Sequence, residues 1–166
     1  MREAERILGI DPGTRHLGWG IIEGLGTRIE HIAHGVIDVD TSGTFAYRLV
    51  QIDDALAQII EQHRPSTAAV ESLFFAKDAQ SAAKLGHARG VVLLRMERSG
   101  VAIHEYAPAL IKRSVAGRGA ADKRQVALFV QGILRLKDAP RSDAADALAV
   151  ALTHFQAARF RALVSK

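Results

Sequence analysis

Two rhythms of apolar positions run along this chain, and the switches between them divide it into elements. Ile7-Leu8-Gly9-Ile10 is a short apolar run stopped by Pro12-Gly13, and Gly18-Trp19-Gly20-Ile21-Ile22 resumes it. Short apolar runs bounded by turn residues predict buried strands, here joined as an antiparallel hairpin with Asp11 at the bend. From Thr27 to Val39, the residues Ile29, Ile32, Val36 and Val39 stand among polar and charged ones, which predicts a third strand at a sheet edge. The period then lengthens. Leu49, Ile52, Leu56, Ile59 and Ile60 recur at helical spacing after the capping stretch Thr41-Ser42-Gly43-Thr44, and Pro65 ends that helix. Thr67 to Glu71 reads as a strand ending in an acid. A second helix runs from about Asp78 to Arg98, a further strand from Val101 to Tyr106, and a short helix from Ala107 to Val115. Gln125 to Leu136 reads as a helix with Val126, Phe129, Val130 and Ile133 on one face. The last helix extends from Asp143 to about Phe160, with Ser142 as its N-cap. About five strands interleaved with helices predict an α/β fold.

The second helix carries a ridge of small residues, because Ala82, Gly86 and Gly90 recur every four positions. Each interior glycine costs about 1 kcal/mol relative to alanine. The ridge therefore implies a close approach, either to the helix's own sheet or to a second copy of the chain as a homodimer.

Composition narrows the setting. With 166 residues, 48% of them hydrophobic, the chain supports one sizeable core, so residues 1–166 are expected to form a single domain. No cysteine is present, which excludes disulfides and zinc–thiolate sites and suits a reducing compartment. The N-terminus MREAERILGI carries acids and lacks the long apolar core of a leader, and no apolar run approaches the roughly 20 residues of a membrane span. A soluble, cytoplasmic protein is expected, with no membrane contact. The net charge of +4 favours a polyanionic partner. Its clearest local expression is Gly117-Arg118-Gly119-Ala120-Ala121-Asp122-Lys123-Arg124, where Arg118 is expected to meet phosphate on the strength of its charge and glycine context.

The acids supply the candidate chemistry. An Asp at the end of a buried strand loses hydration and needs a compensating cation, proton or donor, unless Asp11 serves only as an Asx-type turn cap. Asp143 and Asp146 are three apart and project on one side of the first helical turn. Complementing a helix dipole stabilises by about 0.3 to 1 kcal/mol per acid, which explains one better than two in a turn packed with alanine. Glu71 joins them at a strand terminus, and an α/β sheet can bring such ends to a common edge. Four carboxylates fit hard divalent cations, Mg²⁺ first and Mn²⁺ second. Two such ions about 3.5 to 4 Å apart can activate water and stabilise the leaving oxygen of a phosphodiester, which is nuclease chemistry.

Three blocks of the sequence, ILGIDPGTRHLGWGII, ESLFFAKDAQSAAKLGHARG and SDAADALAVALTH, closely resemble the RuvC family of Holliday-junction resolvases, within the RNase H-like superfamily. The resemblance spans nearly the whole chain. It implies a mixed five-stranded sheet flanked by helices, and a homodimer built largely on the second helix whose two active sites nick opposing strands of a four-way DNA junction. It also implies that Asp11 bridges two Mg²⁺ ions, with Glu71, Asp143 and Asp146 completing their shells. Some relatives carry histidine at the position of Asp143. Phe74 matches an aromatic that contacts bases near the crossover, Lys112 and Lys123 match residues that approach the DNA backbone, and a branch-migration complex is the implied partner. Other readings remain at this point. The GIDPGT turn also opens ATP-dependent phosphotransferases of the actin-like class, although these clamp nucleotide between two duplicated domains. A non-catalytic junction-binding protein would gain nothing from four acids facing DNA, and an RNase H-like nuclease acting on RNA is the third alternative. Phe75 competes with its neighbour Phe74 for the exposed position. His16 reads as a polar turn residue, His154 as packed and Trp19 as a sheet residue, none of them catalytic.

Overall fold

Alternation along the first strand decides how the sheet is covered. In β1 (Glu5–Asp11), Ile7 points to one side while Leu8 and Ile10 point to the other, and all three are fully buried. A strand buried on both sides needs helices on both faces. The computed structural model describes residues 4–72, 78–117 and 121–164. It contains β2 (His16–Leu25), β3 (Arg28–Asp38), α1 (Phe45–His63), β4 (Thr67–Glu71), α2 (Ala79–Arg98), β5 (Ala102–Tyr106), α3 (Pro108–Ala116), α4 (Lys123–Leu134) and α5 (Ser142–Val164).

The sheet has five strands in the order β3-β2-β1-β4-β5. The first three form an antiparallel meander, whereas β4 lies parallel to β1 and β5 parallel to β4. This is the mixed sheet flanked by helices that the sequence implied, with β3 at an edge as expected. Leu8, Ile10, Ala68 and Val70 pack beneath α1 and α2, while Ile7, Ile22 and Ala69 pack beneath α3, α4 and α5. Local signals set the helix ends. Thr44 accepts from Tyr47 N at 3.1 Å to begin α1, and Arg64 ends it in the left-handed region just before Pro65. Among the described residues, no helix is long and apolar enough to cross a membrane.

Three expectations need correction. α4 starts at Lys123, not Gln125, because Asp122 and Gln125 form a capping box. Its buried stripe is Val126, Val130 and Leu134, while Phe129 and Ile133 are 47% and 41% exposed. The contact with α5 is a single row at four-residue spacing, too narrow for the face read from the sequence. α5 begins one residue early: Ala145 N donates to the Arg141 carbonyl, so Ser142 is already helical and the helix continues to Val164. The ridge on α2 does not seat that helix on its own sheet either. Ala82 and Gly90 are exposed, and among the described residues nothing lies within 4 Å of a Cβ built at Gly86 or Gly90. The helix instead buries Ala88, Val92 and Met96.

α5 lies on β1 and β2 at backbone distance. A Cβ at Gly9 would sit 1.9 Å from the Ala147 carbonyl oxygen, and one at Gly18 would sit 1.9 Å from that of Asp143. Only glycine allows this seating. Gly18→Ala is expected to push the first turn of α5 off the sheet and destabilise the protein by about 1 to 3 kcal/mol in urea unfolding. Gly132→Ala, in open space within α4, is expected to be neutral or stabilising by up to about 1 kcal/mol. Equal stabilities for the two variants would contradict this packing.

Candidate active site

Three elements bring the acids together. Asp11 is the last residue of β1, and the parallel register Ile10↔Val70 sets Glu71, the last residue of β4, beside it. Gly18 lies across the hairpin from Asp11 and receives the Asp143 carbonyl, which fixes the first turn of α5 over the same sheet end. Asp146 follows three residues later and turns into a pocket of about 200 Å³ with Asp11 and Glu71. Lys112 and Lys123 complete its polar wall, and Ile111, Val126 and Val150 supply apolar lining. Asp143 does not line the pocket but acts on Asp11 electrostatically.

Crowded carboxylates in a partly dehydrated pocket hold protons more tightly. Asp11 is pushed up to about 7, first by burial and then by repulsion from Asp146, Glu71 and, less strongly, Asp143, with Lys123 opposing. Glu71 is also raised, by burial first and Asp146 second, against the lowering charges of Lys123 and Lys112. Lys123 Nζ donates to Asp146 Oδ2 at 3.0 Å, and that bond holds the ammonium above its ordinary value. The donor set is entirely carboxylate oxygen, which fits a hard divalent cation, and its mutual repulsion favours one. As they stand, no three Asp, Glu or His side chains among the described residues are placed to hold one ion.

Of the expected DNA contacts, Lys112 and Lys123 lie in this pocket, while Phe74 and Arg118 fall outside the described residues, as does Phe75. His16 is a turn residue, its Nδ1 2.8 Å from Asp38 Oδ1. His154 is buried under the sheet, with Nδ1 2.8 Å from the Tyr106 hydroxyl. Trp19 is a half-buried sheet residue beside Gly35. Sequence reasoning misses Arg141, whose guanidinium donates twice to Asp38, at 2.6 and 2.8 Å. This clamp ties the residue before α5 to the end of β3, and Asp38 is lowered to about 2, chiefly by its hydrogen bonds from Arg141 and His16. Its partners are 103 positions apart, so no local pattern could reveal it. A larger cavity of about 1210 Å³ lies between β3 and the C-terminal half of α5 and contains none of the four acids.

The family model described as crossover junction endodeoxyribonuclease RuvC matches residues 7–154. The chain belongs to the RuvC family. All four acids fall within the matched span. A crossover junction endodeoxyribonuclease RuvC from Sorangium cellulosum is 68% identical over 160 residues, covering 96% of this chain and 89% of that one. One from Caulobacter vibrioides is 48% identical, covering 90% and 88%. Thermus thermophilus RuvC, solved in complex with a Holliday junction substrate, superposes with a TM-score of 0.89 at 38% identity, covering 95% of this chain and 96% of that one. The yeast mitochondrial Holliday junction resolvase shares the fold, with a TM-score of 0.68 at 12% identity, covering 95% and 81%.

The raised Asp11 carboxyl makes metal-free stability depend on pH in a definite direction. Folded Asp11 keeps its proton to about pH 7, whereas an unfolded one loses it near pH 4. Stability is therefore expected to fall as pH rises through that window, because the unfolded chain releases a proton that the folded one retains. In EDTA, Asp11→Asn should be more stable than the parent by about 2 to 4 kcal/mol at pH 8, with the gain vanishing near pH 4. Urea unfolding at both pH values checks this, and a less stable variant at pH 8 would contradict it.

Proposed function

We infer that this chain is a crossover junction endodeoxyribonuclease that resolves Holliday junctions by paired, metal-dependent nicks in opposing DNA strands, in recombination and repair. The observation that carries this reading is the meeting of Asp11, Glu71 and Asp146 in one pocket, in a chain 68% identical to a named RuvC. Asp11, Glu71, Asp143 and Asp146 would hold the two Mg²⁺ ions, with Mn²⁺ as the alternative. Bound divalent cations supply charge stabilisation at the attacking and leaving oxygens of the phosphodiester. The chain's own groups do the rest. Asp11, whose carboxyl is held up to about 7, would release its proton to solvent as a cation binds, Glu71 with its raised carboxyl would do so more readily, and the apolar lining from Ile111, Val126 and Val150 limits competing water. Lys112, Lys123 and Arg118 hold the DNA backbone, and Phe74 stacks on a base at the crossover, where such stacking contributes about 1 to 3 kcal/mol.

Two opposing nicks require two sites, hence a homodimer. The open ridge of Ala82, Gly86 and Gly90 on α2 supports a second copy packing there. Residues 1–166 act as one RNase H-like nuclease domain in the cytoplasm, and a branch-migration complex is the partner that delivers the junction.

A synthetic four-way junction with Mg²⁺ tests the reading. The parent should make symmetric paired nicks, abolished by EDTA. Asp146→Asn should still bind the junction but cut at least about 100-fold more slowly, since even outer-shell partners of a metal ligand cost about 10- to 100-fold. Sedimentation should show a dimer for the parent and a monomer for Gly90→Leu. Equal nicking by parent and Asp146→Asn would overturn the catalytic assignment.

A further inference from the structure

Lys123 reaches into the acid pocket from an element that contributes no acid to it. It is the first residue of α4, and its Nζ bonds Asp146 Oδ2 at 3.0 Å while its charge acts on Asp11, Glu71 and Asp143. Among the described residues lining the pocket, it is thus the cation that couples to all four acids. Lys112 lines the same pocket yet makes no ion pair among the described residues, and its charge is felt at Glu71. The two lysines are not equivalent. The side chain of Lys123 is 77% exposed against 22% for Asp146, so the lysine can swing away while the acid stays. An ammonium hydrogen-bonded to Asp146 holds the carboxylate that a divalent ion would need, and two cations on one carboxylate repel each other.

We propose that Lys123 is a built-in placeholder for the divalent cation: it occupies Asp146 in the metal-free protein, is displaced when metal loads, and is thereby released to the phosphate of the incoming strand. This rests on the metal-dependent reading above. Before loading, the ammonium offsets part of the carboxylate repulsion and keeps Asp146 turned into the pocket. Loading replaces one positive charge with larger ones, and the flexible four-carbon stem of lysine then carries its charge to the nearest remaining anion, the DNA backbone. Metal and DNA binding are coupled through this residue, and the coupling is reciprocal: phosphate that draws Lys123 from Asp146 also favours metal entry. Lys112, which pairs with no carboxylate among the described residues, contacts phosphate with or without metal.

Two measurements on the full-length protein test this, neither of them an activity. Mn²⁺ binding in the absence of DNA, followed by the electron paramagnetic resonance of free Mn²⁺, is expected to be about two- to five-fold tighter in Lys123→Gln than in the parent, the range that loss of one exposed ion pair spans. Lys112→Gln should change it less. In the parent, the side-chain amine NMR signal of Lys123 should shift saturably on addition of Mg²⁺, towards its position in metal-free Asp146→Asn. Equal or weaker Mn²⁺ binding by Lys123→Gln, or a Lys123 signal that Mg²⁺ leaves in place, would overturn the placeholder. If neither parent nor Lys123→Gln binds Mn²⁺, the metal reading itself fails and the placeholder with it.

Discussion

The main chain of α5 rests against β1 and β2 with no side chain between them at Gly9 and Gly18, and that contact brings Asp143 and Asp146 to the acids at the ends of β1 and β4. Alanines on the helix, Ala147 and Ala151, meet the same track, so neither surface can be enlarged without separating them. The helix enters the sheet end where β1 and β4 terminate. Its first turn therefore delivers Asp146 beside Asp11 and Glu71, and carries Asp143 close behind. Arg141, clamped to Asp38 of β3, pins the same turn from outside the sheet.

Such close packing creates electrostatic tension. Carboxylates from β1, β4 and α5 share a pocket with too little water to separate their charges, and Asp11 responds by retaining a proton to about pH 7. A protein selected only for stability would place apolar groups there; sites that trade stability for activity accept the cost. In the metal-free state Lys123 relieves part of the tension from one side. In the proposed function divalent cations would relieve more of it, at the point where a phosphodiester must be polarised. Packing and charge are thus one chain of cause: small residues admit the helix, and the helix crowds the acids that the proposed function assigns to the cations.

Much of this is legible in the sequence because the signals are local. The run Ile7–Ile10 with its Pro12-Gly13 stop gives the hairpin and the acid at its end, and TAAVE gives β4 with Glu71. The three-residue spacing of Asp143 and Asp146 places both on one turn. What escapes is long-range or depends on a neighbour's shape. The buried stripe of α4 depends on how narrowly α5 meets it, so Phe129 and Ile133 read as core although they face solvent. The start of α5 is decided by the Arg141 carbonyl and not by the side chain of Ser142. The direction of Lys123, inward to Asp146 rather than outward, depends on the acid field of three other segments. The small-residue ridge of α2 is legible as a ridge, but it takes the open space around it among the described residues to separate it from the chain's own sheet.

The most direct test is crystallographic. Anomalous diffraction from crystals of the protein soaked in Mn²⁺ is predicted to show two ions in the pocket at the end of β1 and β4, both touching Asp11, with Glu71, Asp143 and Asp146 as the other protein ligands. Bound Mn²⁺ found only elsewhere, or an Asp11 carboxylate that contacts no ion at saturating Mn²⁺, would contradict the account.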